Sequence, residues 1–104
     1  MHKKNMHAFT AEEISVFCEQ ICLILSADIP LYEGMETLES DYKGSSGETA
    51  FQLMSGKMRE SGSLAEAVEA AGVFPEYLVG MVRVGEEAGQ LDTVMRNLAQ
   101  QSVR

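Results

Sequence analysis

Residues 62–75 read GSLAEAVEAAGVFP and decide how the chain folds. Ser63 and Glu66 have the spacing of a capping box, in which a hydroxyl and a carboxylate bond to the backbone N–H groups that open a helix. The apolar residues that follow predict a short helix as far as Ala71, and Gly72 can close that helix in a left-handed conformation. The stretch therefore encodes a complete short helix with both of its ends.

The same start and stop signals recur on both sides of this helix. Thr10 and Glu13 form a second capping box, and Pro30 and Pro75 each favour a first helical turn. These signals predict six helices: residues 10–27, 30–42, 48–60 and 63–71, a fifth from residues 74–75, and a sixth after residues 85–89. Since no alternating β pattern competes, the fold class is all-α. We predict a single domain of about six antiparallel helices, a helical bundle, at residues 10–104, behind a flexible N-terminal tail at residues 1–9.

Apolar residues recur at helical spacing along the predicted helices and should face the core. They are Ile14, Phe17, Cys18, Ile21, Cys22, Leu25, Leu31, Met35, Leu38, Tyr42, Phe51, Met54, Met58, Leu78, Met81, Val82, Leu91, Val94, Met95 and Leu98. We interpret the methionines as core residues and the two cysteines as small core hydrophobes, because a zinc site needs about four ligands.

Charge and composition narrow the classes of function. The 104 residues carry a net charge of −8, which disfavours binding to nucleic acid or to anionic lipid. Two cysteines spaced for one helix face cannot build a secreted disulfide framework, so we expect a reducing, cytosolic environment. No run reaches the roughly 18 to 20 apolar residues of a membrane span, and no signal peptide is visible, so we expect this chain to be soluble.

The segment VRVGEEAGQLD, residues 82–92, is the most unusual in composition. Glu86, Gln90 and Asp92 could hold a divalent cation such as calcium through oxygen ligands, although the spacing is not that of an EF-hand. The alternative, which we favour, is a solvated turn with an ion pair between Arg83 and Glu87.

Gly80 and Gly85 each cost about 1 kcal/mol inside a helix, which the close approach of another backbone, from this chain or from a partner, would offset. This small-residue face on the fifth helix favours packing against another helix over a ligand pocket. We therefore predict that the chain self-associates.

The sequence offers no catalytic constellation. Its two histidines lie in the predicted tail, and the nucleophile elbow, P-loop and dinucleotide fingerprints are absent. We therefore expect no enzymatic activity and no cofactor.

Several separated motifs resemble the type II secretion system protein F family, which includes the type IV pilus platform proteins. They are GSLAEA at residues 62–67, VFP at 73–75, VGEEAGQL at 84–91, FCEQ at 17–20 and IPLYEG at 29–34. Along the chain these motifs follow one another in the order of the family, and the resemblance covers nearly everything from about Thr10 to Gln101. Asp28 departs from the pattern, because the family usually has Gly there. Either the turn geometry differs at this point or the Asp28 side chain supplies a cap of its own.

The resemblance implies a non-enzymatic platform protein at the cytoplasmic face of the bacterial inner membrane. It implies contacts with the assembly ATPase and other platform subunits, a homodimer, and pilin-like subunits that are extruded. Membrane spans would lie outside this chain, which looks like an N-terminal cytoplasmic domain. The implied interaction site is Arg83, Gly85, Glu86, Glu87 and Gly89, and we expect replacement of Glu86 by Ala to leave folding largely intact. A free-standing helical adaptor or dimerisation module, and more weakly an acidic-cluster hydrolase, are the alternatives.

Overall fold

The computed structural model describes residues 7–102 and contains six α-helices over that range. They are α1 (Ala11–Ser26), α2 (Leu31–Asp41), α3 (Glu48–Ser61), α4 (Leu64–Ala71), α5 (Glu76–Ala88) and α6 (Leu91–Ser102). No strand occurs in this part of the chain. The predictions of an all-α fold and of six helices are confirmed. None of the helices described is both long enough and apolar enough to cross a membrane.

The helices follow a simple packing order. α1 packs mainly on α6, α3 packs on α2 and α4, and α5 lies between α4 and α6. α1 and α6 run antiparallel, because the Ser15 hydroxyl donates to the Ala99 carbonyl at 3.2 Å near one end while Leu25 and Leu91 border one depression at the other. The start of α4 and the end of α5 also meet, through Ser63 and Glu86.

The first helix starts as its capping box predicts. The Thr10 hydroxyl accepts from the Glu13 N–H at 3.1 Å, and the Glu13 carboxylate accepts from the Thr10 N–H at 2.8 Å. Phe9 belongs to the fold: its N–H donates to the Val73 carbonyl at 2.9 Å, and its ring meets Phe74 edge-on at 5.1 Å. The flexible tail predicted for residues 1–9 therefore does not extend to Phe9, and residues 1–6 lie outside the described part of the chain.

An aromatic cluster fills the core at the Phe9 end. The Phe17 ring lies 4.8 Å from Phe74 and 6.1 Å from Phe51, and Tyr42 stacks on Phe51 at 4.0 Å between centroids. Aromatic pairs at such distances add to the hydrophobic gain of burying the rings. The cluster joins α1 and α3 to the segments that follow α2 and α4.

Most residues predicted to face the core are buried or half-buried, with one clear exception. Met81 is 42% exposed, so its prediction is wrong. Among the helices of residues 7–102, α5 packs only on α4 and α6, and neither covers the side of α5 that carries Met81. Both cysteines are free thiols; Cys18 is buried and Cys22 half-buried. Burial raises the pKa of the Cys18 thiol to about 12.

The structure of the turn between α1 and α2 shows which of the two predicted roles Asp28 has. The Asp28 N–H donates to the Leu25 carbonyl at 3.2 Å and the Ile29 N–H donates to the Ile24 carbonyl at 3.2 Å, the paired bonds of a Schellman motif. Asp28 has a φ of 59°, in the left-handed region that favours glycine. No side chain caps α2. Asp28 therefore adopts the conformation that glycine favours and supplies no cap.

This geometry predicts an order of stability for variants of Asp28. Asp28→Gly should raise the free energy of unfolding by up to about 1 kcal/mol, because glycine adopts a positive φ without a Cβ penalty. Asp28→Ala should lower it by about 0.5–1 kcal/mol, since alanine tolerates this region less well than aspartate. Urea unfolding of the three proteins measures the order, and a variant with Ala more stable than one with Gly would contradict the assignment.

Candidate functional site

Glu86, in the last turn of α5, holds the start of α4. Its Oε1 accepts from the Ser63 hydroxyl at 2.8 Å and from the Ala65 N–H at 3.2 Å. Its Oε2 accepts from the Leu64 N–H. The Ser63 hydroxyl in turn accepts from the Glu66 N–H at 3.1 Å. The first three N–H groups of α4 are therefore all bonded, two of them to a residue more than twenty positions away.

This contact corrects two predictions. The capping box at Ser63 forms only in part, because the Ser63 N–H donates to the Ser61 hydroxyl at 3.2 Å while the Glu66 carboxylate faces Arg83. Glu86 is not a solvated carboxylate in a turn. It is half-buried within α5 and accepts from the Leu64 and Ala65 N–H groups, while the Ser61 hydroxyl takes the place that the Glu66 carboxylate has in a complete capping box.

Gly85 and Gly89 shape the end of α5 in different ways. Gly89 has a φ of 70° and confirms the predicted left-handed position; the Gln90 N–H donates to the Gly85 carbonyl at 2.8 Å, which closes a Schellman motif. Gly85 is buried inside the helix, where a Cβ would lie 2.9 Å from Val94 Cγ2 and 3.4 Å from Leu91 Cα. The predicted close approach at Gly85 is thus supplied by α6 of this chain.

Arg83 joins α5 to α4, one turn of helix before Glu86. Its guanidinium lies 3.0 Å from Glu69 Oε1 and 3.7 Å from Glu66 Oε2. The predicted pair with Glu87 is wrong: Glu87 is exposed and forms no ion pair within the described residues. Since the Arg83 side chain is 39% exposed, the two ion pairs contribute little free energy but help to fix the angle between the helices.

The three cation candidates are not gathered into a complete ligand set. Both Glu86 oxygens accept from α4, and Asp92 Oδ1 accepts from the Thr93 N–H at 2.8 Å. Glu86 and Asp92 border one open depression, but no group of three or more His, Cys, Asp or Glu side chains within residues 7–102 is placed to hold a metal ion. Calcium binding at Glu86, Gln90 and Asp92 stays a prediction.

The opposite side of α5 exposes an apolar surface. Tyr77, Met81 and Val84 are 54%, 42% and 59% exposed, and their spacing of four and three residues places them on one side of the helix. Gly80 lies among them, and a Cβ there would meet nothing within 4 Å in the described structure. We call these four residues the α5 apolar face. Sequence reasoning recognised a glycine-bearing face on this helix but missed its apolar part, because it placed Met81 in the core, although Tyr77 and Val84 at helical spacing were visible signals.

Comparison with known proteins identifies the family to which this chain is similar. The family model described as type II secretion system (T2SS), protein F, matches residues 17–104. A type II secretion system protein F of Aeromonas hydrophila is 28% identical over 87 residues, which are 80% of this chain and 21% of that protein.

Two relatives carry the name of pilus proteins. A type IV pilus assembly protein PilC of Myxococcus xanthus is 24% identical over 86 residues, covering 83% of this chain and 21% of the relative. A type 4 fimbrial assembly protein PilC of Pseudomonas putida is 28% identical over 83 residues, 80% of this chain and 21% of the relative. The chain spans about a fifth of the length of these curated relatives.

The Glu86 contacts predict a loss of stability that the sequence alone did not. Glu86→Ala should lower the free energy of unfolding by about 1–2 kcal/mol, because the first N–H groups of α4 lose a charged acceptor. Glu87→Ala is the matched control and should change it by less than about 0.5 kcal/mol. Thermal unfolding measures both, and equal midpoints for the two variants would show that the cap contributes nothing.

The two glycines of α5 predict opposite responses to the same substitution. Gly85→Ala should lower the free energy of unfolding by about 1–3 kcal/mol, because its Cβ must displace Val94. Gly80→Ala should raise it by about 0.5–1 kcal/mol through helix propensity, since the site is open. Denaturant unfolding of both variants tests the packing, and a shift of the same sign in both would contradict it.

Proposed function

Because the chain belongs to the type II secretion system protein F family, we propose that it is a cytoplasmic domain of an inner-membrane platform protein. The system is a type II secretion or a type IV pilus assembly system, the two kinds of machinery named among its relatives. In this proposal the domain contacts the assembly ATPase and other platform subunits while pilin-like subunits are extruded. Its role is non-enzymatic, and it lies at the cytoplasmic face of the membrane.

The single observation that carries the interaction role is the α5 apolar face. A helix that exposes Tyr77, Met81 and Val84 around an open glycine leaves apolar area in water, and such patches mark interaction sites. Gly80 would let a second helix approach the backbone closely. We propose that two copies of the chain meet through this face, because a twofold interface needs only one self-complementary patch.

The segment at residues 83–89 supports this proposal in a different way from the one that its composition suggested. Arg83, Gly85 and Glu86 bind α4 and α6, so they fix the direction in which α5 presents its outer face. These three residues act on assembly indirectly, as positioning residues. Glu87 and Gly89 are exposed and free to contact a partner directly.

The interaction role predicts that a charge on the α5 apolar face blocks self-association. Val84→Lys should raise the dissociation constant of the dimer at least about tenfold, because the buried lysine would face its own copy across a twofold axis. A lysine near the end of a helix does not oppose the helix dipole, so the thermal midpoint should hold within a few degrees. Sedimentation at several concentrations measures the dimer.

Leu53→Lys, at an apolar position on α3 that is 41% exposed, is the matched control and should leave self-association unchanged. The same pair of substitutions in the full-length protein tests the wider role: only Val84→Lys should impair secretion or piliation. A chain that stays monomeric to about 1 mM, or full assembly by the Val84→Lys protein, would overturn this interface.

A further inference from the structure

The net charge of the chain is accounted for by residues 5–42, which include α1, α2 and the turn between them. Residues 5–42 contain eight carboxylates and no Lys or Arg, and the remaining residues carry eight acidic and eight basic side chains. The eight are Glu12, Glu13, Glu19, Asp28, Glu33, Glu36, Glu39 and Asp41. Among residues 7–102, Glu36 is the only one of them in an ion pair, at 3.5 Å from Arg59. In the described chain α1 and α2 therefore carry acidic side chains with one basic partner among them, and Glu13 also caps α1.

A groove runs between α1 and α2. Leu23 and Ile24 form its α1 wall, Ile29 closes one end, and Leu38 lies on the α2 side, around a volume of about 370 Å³. Leu23 is 70% exposed, the most exposed of the large apolar side chains described, and Ile29 is 41% exposed. Ile24 lies directly over Gly34, where a Cβ would come within 2.6 Å of Ile24 Cδ1. Gly34 thus lets the Ile24 side chain pack against the backbone of α2, and this contact forms the apolar floor of the groove.

Polar side chains also line the groove beside its apolar residues. Glu33 and Thr37 border it on α2, and Gln20 borders it on α1. The Tyr42 hydroxyl donates to Gln20 Oε1 at 3.4 Å and bridges the two helices. Beyond that bridge, Val16 is 41% exposed in a second depression that Glu12 and Glu13 also border.

Val16 and Leu23 are seven residues apart, about two helical turns along the same side of α1. A partner helix of two to three turns has the length needed to cover both. Such a helix would meet apolar side chains along its centre and carboxylates along its edges.

We propose that the α1–α2 groove binds an amphipathic helix of a partner protein, with apolar residues on one side and Lys or Arg on its flanks. Its apolar side chains would lie between Leu23 and Ile29, and its basic side chains would face Glu33 and the neighbouring carboxylates. Charge complementarity selects this occupant. A second copy of the chain is a poor one, because its own net charge is −8 and its Arg83 is already paired with Glu66 and Glu69. The inference goes beyond the proposed function, since it concerns other helices than α5.

The experiment uses the full chain and a synthetic helical peptide of leucine and lysine, about 18 residues long, with leucines at positions i, i+3, i+4 and i+7. A peptide of the same composition in scrambled order has no apolar side and is the peptide control. The labelled chain is titrated with each peptide and followed by NMR. We expect saturable shifts at Leu23, Ile29 and Thr37, and at least tenfold weaker binding, about one decade, of the scrambled peptide.

In the second part of the experiment, peptide binding is measured for variants at exposed positions of the chain. Leu23→Ser should raise the dissociation constant about fivefold to tenfold and Glu33→Gln about threefold, and binding should weaken at least about tenfold between roughly 50 and 500 mM NaCl. Val84→Ser and Glu87→Gln, the matched apolar and acidic controls on α5, should stay within about twofold.

Three results would overturn the inference: equal binding of the scrambled peptide, equal weakening by Val84→Ser, or shifts confined to α5. Loss of self-association in Leu23→Ser would also overturn it, by showing that a second copy occupies the groove. If Leu23→Ser does not fold, Glu33→Gln and the salt series decide alone. Peptide binding is measured separately from self-association, so a failure of the peptide arm leaves the Val84→Lys test of the proposed function in place.

Discussion

The first N–H groups of α4 need hydrogen-bond acceptors that α4 itself cannot supply. The arrangement of the neighbouring helices depends on the residue that supplies them. An eight-residue helix is too short to be stable alone, and its first N–H groups lack carbonyl partners. α4 nevertheless joins α3 to α5, with Leu64, Ala67, Val68 and Ala71 all buried. The Glu86 carboxylate bonds to its opening N–H groups and so ties the formation of α4 to the position of α5.

The glycines around Glu86 follow from the same requirement. For its carboxylate to reach α4, α5 must lie close to α6, and only a residue without a Cβ fits between Val94 and the backbone of α5 at position 85. The chain must then reverse within two residues, which Gly89 allows through its positive φ. The close approach at Gly85, the cap by Glu86 and the left-handed turn at Gly89 together form the contact between α4, α5 and α6. The recognisable segment at residues 84–91 is therefore first a folding motif, and it leaves the outer side of α5 free for a partner.

The helices were predictable from sequence because their signals are local. Thr10 and Glu13 are three residues apart, and the positions of Pro30 and Pro75 limit the helices beside them without reference to distant residues. The Glu86 cap was not predictable, since it joins residues more than twenty positions apart and leaves no local pattern. Met81 was misplaced for a related reason: its spacing suits a core position, but burial depends on which helices lie nearby, and none of the described helices covers that side of α5. Asp28 shows the converse case, in which the turn geometry holds although the usual glycine is absent.

Some charged residues of the chain stabilise the fold through intramolecular contacts, and others remain available to bind a partner. On α4 and α5, Arg83 lies between Glu66 and Glu69, and Glu86 bonds to a helix start, so these charges have intramolecular partners. On α1 and α2, seven of eight carboxylates lack an ion pair in the described chain, and their mutual repulsion opposes folding. The core contacts of Phe17 and Met35 hold these helices in place in spite of that repulsion. The acidity beyond Glu13, which caps α1, and Glu36, which pairs with Arg59, is not required by the described contacts. A surface that costs stability and also exposes Leu23 and Ile29 is best explained by a partner that neutralises the charge and covers the apolar side chains.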